Sequence, residues 1–227
     1  NIKSPYPYQE FKRTSVDGKR LYQNPWGDPV PSVTTILSDT QSAEKRAGLA
    51  AWRKRVGKEE AQRVTTTAAN RGTVMHNILE HWALGEYETY NPGNNIVHQQ
   101  AKAMAQVVVE NIENDVEEIW GTEVNLVAKE LYAGTTDLVG VYKGEATIMD
   151  FKQTNKPKKR EWIEDYFLQG AAYAIAHNEM YGTDISRIAI FMCSGDCQWQ
   201  LFESDPEDFK DWEMKWAQRL EKFYRLS

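Results

Sequence analysis

Cysteine is scarce: Cys193 and Cys197, in "CSGDC", are the two thiols in a chain of 227 residues. Two thiols cannot by themselves supply a four-cysteine zinc or iron–sulfur site. They read as a turn-flanking pair of buried or half-buried thiols, and so low a count suits a reducing compartment. Long hydrophobic runs are missing as well, since nothing approaches the roughly 18 apolar residues of a membrane span. No secretory leader is visible, although the start at Asn1 is how a processed or trimmed terminus would look. Repeats and low-complexity tracts are also lacking. The expectation is a soluble chain with no membrane role. What the sequence does hold is apolar and aromatic weight, with 8 Trp and 11 Tyr in a hydrophobic fraction of 41%. That composition is globular rather than disordered, and the length fits one domain or one domain with a cap.

An overall excess of positive charge is lacking too. The net charge of −6 argues at face value against a nucleic-acid partner. Its distribution argues otherwise. Between Ala43 and Arg71, eight basic residues (Lys45, Arg46, Arg53, Lys54, Arg55, Lys58, Arg63, Arg71) stand against three acids. A second basic cluster holds Lys156, Lys158, Lys159 and Arg160, while much of the acid lies in "ENDVEEIWGTE" and "ESDPEDFKDWE". Either cluster alone reads most simply as a solvated face, and their joint meaning depends on what they flank.

"FKRTSVDGKRLYQN" predicts a hairpin turning on Asp17-Gly18, and "PSVTTIL" leads through Ser and Thr caps into helical sequence. Ala43 to Val64 is helical and basic with a sparse apolar stripe of Leu49, Trp52 and Val56, the pattern of a cap or arch over something. "ANRGTVMHNILEHWALG" predicts a second helix and "VHQQAKAMAQVVVENIENDVEEIW" a longer one. Strands are expected at Glu123 to Leu131, Thr136 to Tyr142 and Ala146 to Lys152. A helix stopped by Gly182 follows, then a hairpin of "RIAIFMC" and "QWQLFES", then a Trp-rich amphipathic helix from Pro206. The predicted fold is α/β, a mixed central β-sheet with an antiparallel meander core flanked by helices. The organisation is one domain over 1–227, with a hairpin and lead-in at 1–37, a basic helical cap at 38–70 and a core at 71–227.

"DLVGVYKGEATIMD", turned on Lys143-Gly144, puts Asp137 opposite Asp150 on one face of the sheet, with Cβ atoms about 5 Å apart. Lys152 points the same way, because strand side chains alternate. Like charges across a sheet repel, and a hard divalent cation relieves that repulsion. An edge pair neutralised by Lys152 accounts for the same residues. His76 and Glu80 share a helix face at i, i+4, as do Gln169 and Tyr173, and each pair serves a helix's structure as readily as a site. Glu123 and Glu130 read as solvated strand-end carboxylates.

Four short motifs occur in order between Arg71 and Ala174: "GTVMH", "GTTDLV", "IMDFK" and "QGAAY". In this order the chain resembles the RecB-like branch of the PD-(D/E)XK nuclease superfamily. "PSVTTIL" and "MDFKQTNKPKK" are similar to the mitochondrial genome maintenance exonuclease subgroup and its phage relatives. The resemblance implies the PD-(D/E)XK nuclease fold. It makes Asp137 the first metal-binding aspartate, Asp150 the second acidic residue, Lys152 the motif lysine and His76 the histidine completing the metal site. Gln169 and Tyr173 match a Gln-x-x-x-Tyr pair near the substrate, and Glu80 joins them as a site residue. Phe151 occupies the variable middle position, where only its backbone carbonyl is left as a ligand. The four cysteines of iron–sulfur relatives are missing, so no iron–sulfur cluster is expected.

The implied activity is a Mg²⁺- or Mn²⁺-dependent exonuclease on DNA, single-stranded with a free end, in replication, repair or recombination. Its products would carry 5′-phosphate and 3′-hydroxyl ends. Arg53, Lys54, Arg55, Arg63, Arg71, Lys156 and Lys158 would then supply sequence-independent phosphate contacts, with Trp52 a candidate stacking platform. A structure-specific endonuclease with an open cleft, a catalytically inactive DNA-binding scaffold and a Mg²⁺ phosphohydrolase on nucleotides stay open as alternatives. The lack of an Arg-rich, acid-poor leader points to a phage enzyme in the bacterial host cytoplasm, with the mitochondrial matrix as the alternative.

Overall fold

The computed structural model of the protein describes residues 2–227. The chain opens with β1 (Arg13–Val16) and β2 (Lys19–Tyr22), turned on Asp17-Gly18, and adds the short β3 (Val30–Pro31). Ser32 then caps α1 (Val33–Asp39) by accepting from the Thr35 amide, as Ser does where free helix amides need an acceptor. A basic helix α2 (Ala43–Val56) buries no residue, as its sparse apolar stripe predicts. Gly57, at φ 87°, breaks it from α3 (Lys58–Ala83) in a conformation L side chains rarely adopt. The expected boundary between residues 70 and 71 falls inside α3, so cap and core share one continuous helix.

Helix α4 (Ile96–Ile112) ends earlier than "VENIENDVEEIW" suggested. The Asn- and Asp-rich turn at 113–115 stops it, and "VEEIW" instead opens β4 (Val116–Ala128), the first strand of the main sheet. Pairing with a neighbouring strand overrides the weak helical period of that segment. β5 (Tyr132–Tyr142) and β6 (Glu145–Thr154) complete an antiparallel meander. The Lys143-Gly144 turn sets the predicted register, with Tyr142 facing Glu145 and Leu138 facing Met149. After a 3₁₀ turn at Arg160–Trp162, α5 (Glu164–Tyr181) crosses over to β7 (Arg187–Ser194), which pairs parallel with β6. β8 (Trp199–Ser204) closes the edge antiparallel, and α6 (Pro206–Arg225) starts on an Asp205 cap.

The five-stranded order is therefore β4-β5-β6-β7-β8, a mixed α/β sheet as predicted. Because strand side chains alternate, one sheet face buries Val139, Ile148, Ile188 and Ile190 against Phe167, Ala171 and Trp216 of α5 and α6. The other face buries Leu138, Met149 and Phe191 against Met75 and Leu79 of α3 and Met104 and Val108 of α4. Among the described residues, no helix is long and apolar enough to cross a membrane.

Candidate active site

The β5–β6 ladder ends at Leu138 and Met149, one position short of the two aspartates. Beyond it the strands part, and β6 goes on pairing with β7 alone. The freed amide of Phe151 donates to Asp137 Oδ2 at 2.8 Å, so Asp137 takes the place of a ladder acceptor. The Phe151 carbonyl faces the opposite wall, where His76 Nε2 lies 2.7 Å away. His76 Nε2 is also 3.3 Å from Asp137 Oδ2, and its Nδ1 is 2.9 Å from the Gly72 carbonyl one turn back on α3. Burial opposes the charge on His76, but the Asp137 carboxylate outweighs it and lifts the imidazole to about 9. Both ring nitrogens then donate.

Asp150 is buried, and the Asp137 carboxylate acts on it. Desolvation, then the charge of Asp137, push Asp150 up to about 8. Desolvation also acts on Asp137, but hydrogen bonding from Asp150 and the charges of His76 and Lys152 hold it well below the usual carboxylate range. Without a cation the facing pair thus favours holding one proton between its two carboxyls.

Lys152 Nζ contacts Asp150 Oδ2 at 2.8 Å, and among the described residues that oxygen has no aligned hydrogen-bond donor. The ammonium donates to Gln169 Oε1 at 2.8 Å and sits 4.6 Å from the Tyr166 ring centroid. Gln169 Nε2 in turn donates to the Tyr173 hydroxyl at 2.9 Å. The i, i+4 pair on α5 therefore forms a relay that grips Lys152. Gly134 makes room for it, because a Cβ there would collide with the Tyr173 ring.

These groups head a cavity of about 790 Å³ whose wall includes His76, Glu80, Asp137, Lys152, Gln169 and Tyr173. Glu123 also lines it and is not the merely solvated strand end the sequence suggested. It stands between Thr122, which faces Leu138, and Val124, which faces Thr136, so it lies opposite Asp137 with φ at 50°. Partial desolvation, then Asp137 and Glu80, push its carboxyl up to about 7. The β4–β5 register was the signal that could have found it. Glu130 is exposed, on a wall of a separate apolar cavity. Sequence reasoning also missed Arg13, Arg20, Tyr22 and Tyr166, all on the main cavity wall.

None of the seven cations expected to contact DNA lines that cavity. Arg53, Lys54 and Arg55 are exposed on α2, beside a half-buried Trp52. Arg63 is exposed but shares its charge with Glu60, at 2.6 and 2.9 Å. Lys156 is exposed, and Lys158 is half-buried with its amide pinned to Gln200. Arg71 is a correction: it is 5% exposed, and its guanidinium donates to Gln153 Oε1 at 2.7 and 3.0 Å and to Asn155 at 2.8 Å. It ties α3 to the end of β6 instead of lying open to a strand.

As a cation site the donor set is small. Among the described residues, no group of three or more His, Cys, Asp or Glu side chains stands in metal-holding geometry. What converges is His76 Nε2, Asp137 Oδ2 and the Phe151 carbonyl, at 2.7 and 3.3 Å from one another through the imidazole. Ligands about 2.1 Å from an octahedral Mg²⁺ lie about 3 Å apart, so this spacing fits a hard cation. Asp150 completes the set once its proton leaves, and His76 Nε2 joins it once the imidazolium gives up its own. Two carboxylates and a carbonyl oxygen suit Mg²⁺ or Mn²⁺ better than softer metals.

No family model matches the chain. Three curated relatives are mitochondrial genome maintenance exonuclease 1 of Mus musculus (28% identical), Homo sapiens (24%) and Xenopus tropicalis (27%), each matched over 86% of this chain. The matches cover 59%, 58% and 57% of those proteins, so the chain spans under three fifths of the relatives' length. A crystal structure from Eubacterium rectale overlaps 68% of each chain at 13% identity with a TM-score of 0.43, too slight a likeness to bear on the fold. By sequence, the chain is similar to the mitochondrial genome maintenance exonucleases over most of its own length.

Proposed function

We propose that the protein is a metal-dependent exonuclease that hydrolyses phosphodiester bonds of single-stranded DNA from a free end. One observation carries this reading: Asp137, Asp150, Lys152 and His76 meet at the head of a cavity of about 790 Å³. Asp137, Asp150, His76 Nε2 and the Phe151 carbonyl would hold Mg²⁺ or Mn²⁺. Such an ion supplies Lewis acidity toward a phosphate and acidifies water. The chain's own groups do the rest. Lys152 neutralises the oxyanion that builds on phosphorus or positions the attacking water. Asp150, Gln169 and the Tyr166 ring hold that ammonium, and Tyr173 holds Gln169. The His76 Nδ1 bond to the Gly72 carbonyl orients the ring so that Nε2 faces the carboxylates.

The cap supports end-dependent action. α2 leaves the α5 wall where Lys45 Nζ meets Asp165 at 3.4 Å, and α3 brings the chain back to the opposite wall at His76. A strand that reaches α2 would meet Arg53, Lys54 and Arg55 without regard to sequence. The relatives' names favour DNA as substrate and a mitochondrial compartment over a bacterial host.

The test is incubation of linear single-stranded DNA, labelled at the 5′ or the 3′ end, with Mg²⁺, with Mn²⁺ and with EDTA, beside Lys152→Ala. Metal-dependent release of label, lost in the variant, is expected, and the label released first gives the polarity. Binding without cleavage under either metal would sink the nuclease and leave a DNA-binding scaffold.

A further inference from the structure

The cations that open onto the cavity are not those of the cap. Arg13 and Arg20 line the main cavity, and together with Thr34 they also line a second one of about 490 Å³ between the N-terminal hairpin and α1. Three shared wall residues make the two cavities direct neighbours, and together they mark out a groove. It starts at Asp137 and leaves between the hairpin and α1.

Sequence and register explain why the hairpin presents these groups there. Arg13 pairs with Tyr22 and Ser15 with Arg20, so all four side chains share one face. Diagonal neighbours on such a face, as Arg13 and Arg20 are, have Cβ atoms about 7–8 Å apart. Tyr22 fixes that face over the site: it is 1% exposed, and its hydroxyl lies 2.9 Å from Thr135 Oγ1, two residues before Asp137. Thr135 Oγ1 donates to Asn125 at 2.7 Å, which leaves it to accept from Tyr22.

Charge in the outer groove is one-sided. Its one carboxylate, Asp39, is held by Lys19 at 3.0 Å. Arg13 and Arg20 are exposed, and among the described residues neither guanidinium has a carboxylate within ion-pair distance. The remaining polar wall is hydroxyls, among them Ser15, Thr34 and Ser38. Two guanidinium groups among hydroxyls, next to the proposed phosphodiester-cleaving centre, match a polyanionic backbone.

We propose that the face of the N-terminal hairpin bearing Arg13 and Arg20 is a phosphodiester-binding track, which holds the nucleic-acid strand on the side of the reacting phosphate away from the cap. This rests on the nuclease reading of the same site and extends it to a second wall. The strand would meet the hairpin's cations in the groove itself and those of α2 outside it.

Fluorescence anisotropy with a labelled oligothymidylate, long enough to cross both cavities and held in EDTA to prevent cleavage, tests the track. Apparent affinity is followed from about 50 to about 200 mM salt for the wild type, R13A/R20A and R13K/R20K. Loss of two phosphate contacts lowers the log–log salt slope by about 1.4, at about 0.7 per single-strand phosphate. R13K/R20K should recover the wild-type slope, and equal thermal midpoints show that the hairpin stays docked. An unchanged slope in R13A/R20A overturns the track. So does loss of inorganic phosphate binding, read by calorimetry, while the DNA slope stays put, because the groove would then be an isolated anion site. Cleavage by the wild type in Mg²⁺ is scored separately: no cleavage with the slope difference intact removes the nuclease and keeps the track.

Discussion

At the scale of single residues, the site is a set of charges that satisfy one another in the absence of a cation. Asp137 accepts from the Phe151 amide, His76 lies against Asp137, and Lys152 contacts Asp150. Asp150→Ala removes one carboxylate from this set and leaves the arginines of cap and hairpin untouched. Turnover should vanish while strand affinity in EDTA stays within a factor of a few. Normal turnover per bound complex would remove Asp150 from the site. Gln169 acts one step back, through its bond to Lys152 at 2.8 Å. A hydrogen bond to a charged group contributes about 1.5–3 kcal/mol, so Gln169→Leu should lower kcat about 10- to 100-fold. KM should move little, because the groups that bind the strand are unchanged. A rise in KM with kcat intact would make Gln169 a strand contact instead of a support for Lys152.

At the scale of elements, long-range side-chain contacts hold the walls of the site in place. Arg71 ties α3 to β6, and Tyr22 ties the hairpin to β5. A third tie joins the N-terminal segment to α5. His177 is fully buried, with Nε2 2.8 Å from the Tyr8 hydroxyl and Nδ1 2.8 Å from Thr183 Oγ1. Thr183 donates onward to Asn178, so it accepts from Nδ1–H, and Tyr8 donates to Nε2. The ring is therefore neutral, and burial lowers it from 6.5 to about 4. A depressed histidine means that the unfolded chain takes up the proton first. Its contribution to stability is whole above about 6.5 and is lost as pH falls toward about 4. Urea unfolding across that window should show wild-type stability falling more steeply than that of His177→Gln, by at most about 1.4 kcal/mol per pH unit. Equal slopes would show that His177 is protonated in the folded chain.

At the scale of the whole molecule, the hairpin and α3 wall one cleft, and α2 carries the exposed cations of the cap outside it. If the strand threads beneath the cap, a closed circular single strand should be degraded far more slowly than the same sequence made linear. Equal initial rates on the two forms would replace threading with an open cleft and an endonuclease.

Local sequence determined a good part of this protein. The hairpin on Asp17-Gly18, the Lys143-Gly144 register, the Gly182 stop and the His76–Glu80 and Gln169–Tyr173 faces all follow from turn chemistry and helix or strand period, which act over a few residues. The same local logic aimed Asp137 at Asp150, and the ladder stops one position short of them. Tertiary structure decided the rest. "VEEIW" became strand because a partner was there to pair with it, which no local period records. Arg71 left the set of surface cations because Gln153 and Asn155, more than 80 residues on, meet it inside the molecule. Glu123, Arg13 and Arg20 became walls of the cleft because folding brought β4 and the N-terminal hairpin to the end of β5. A charge on an exposed strand looks the same in sequence whether it faces solvent or a cleft. Only the approach of distant segments distinguishes the two.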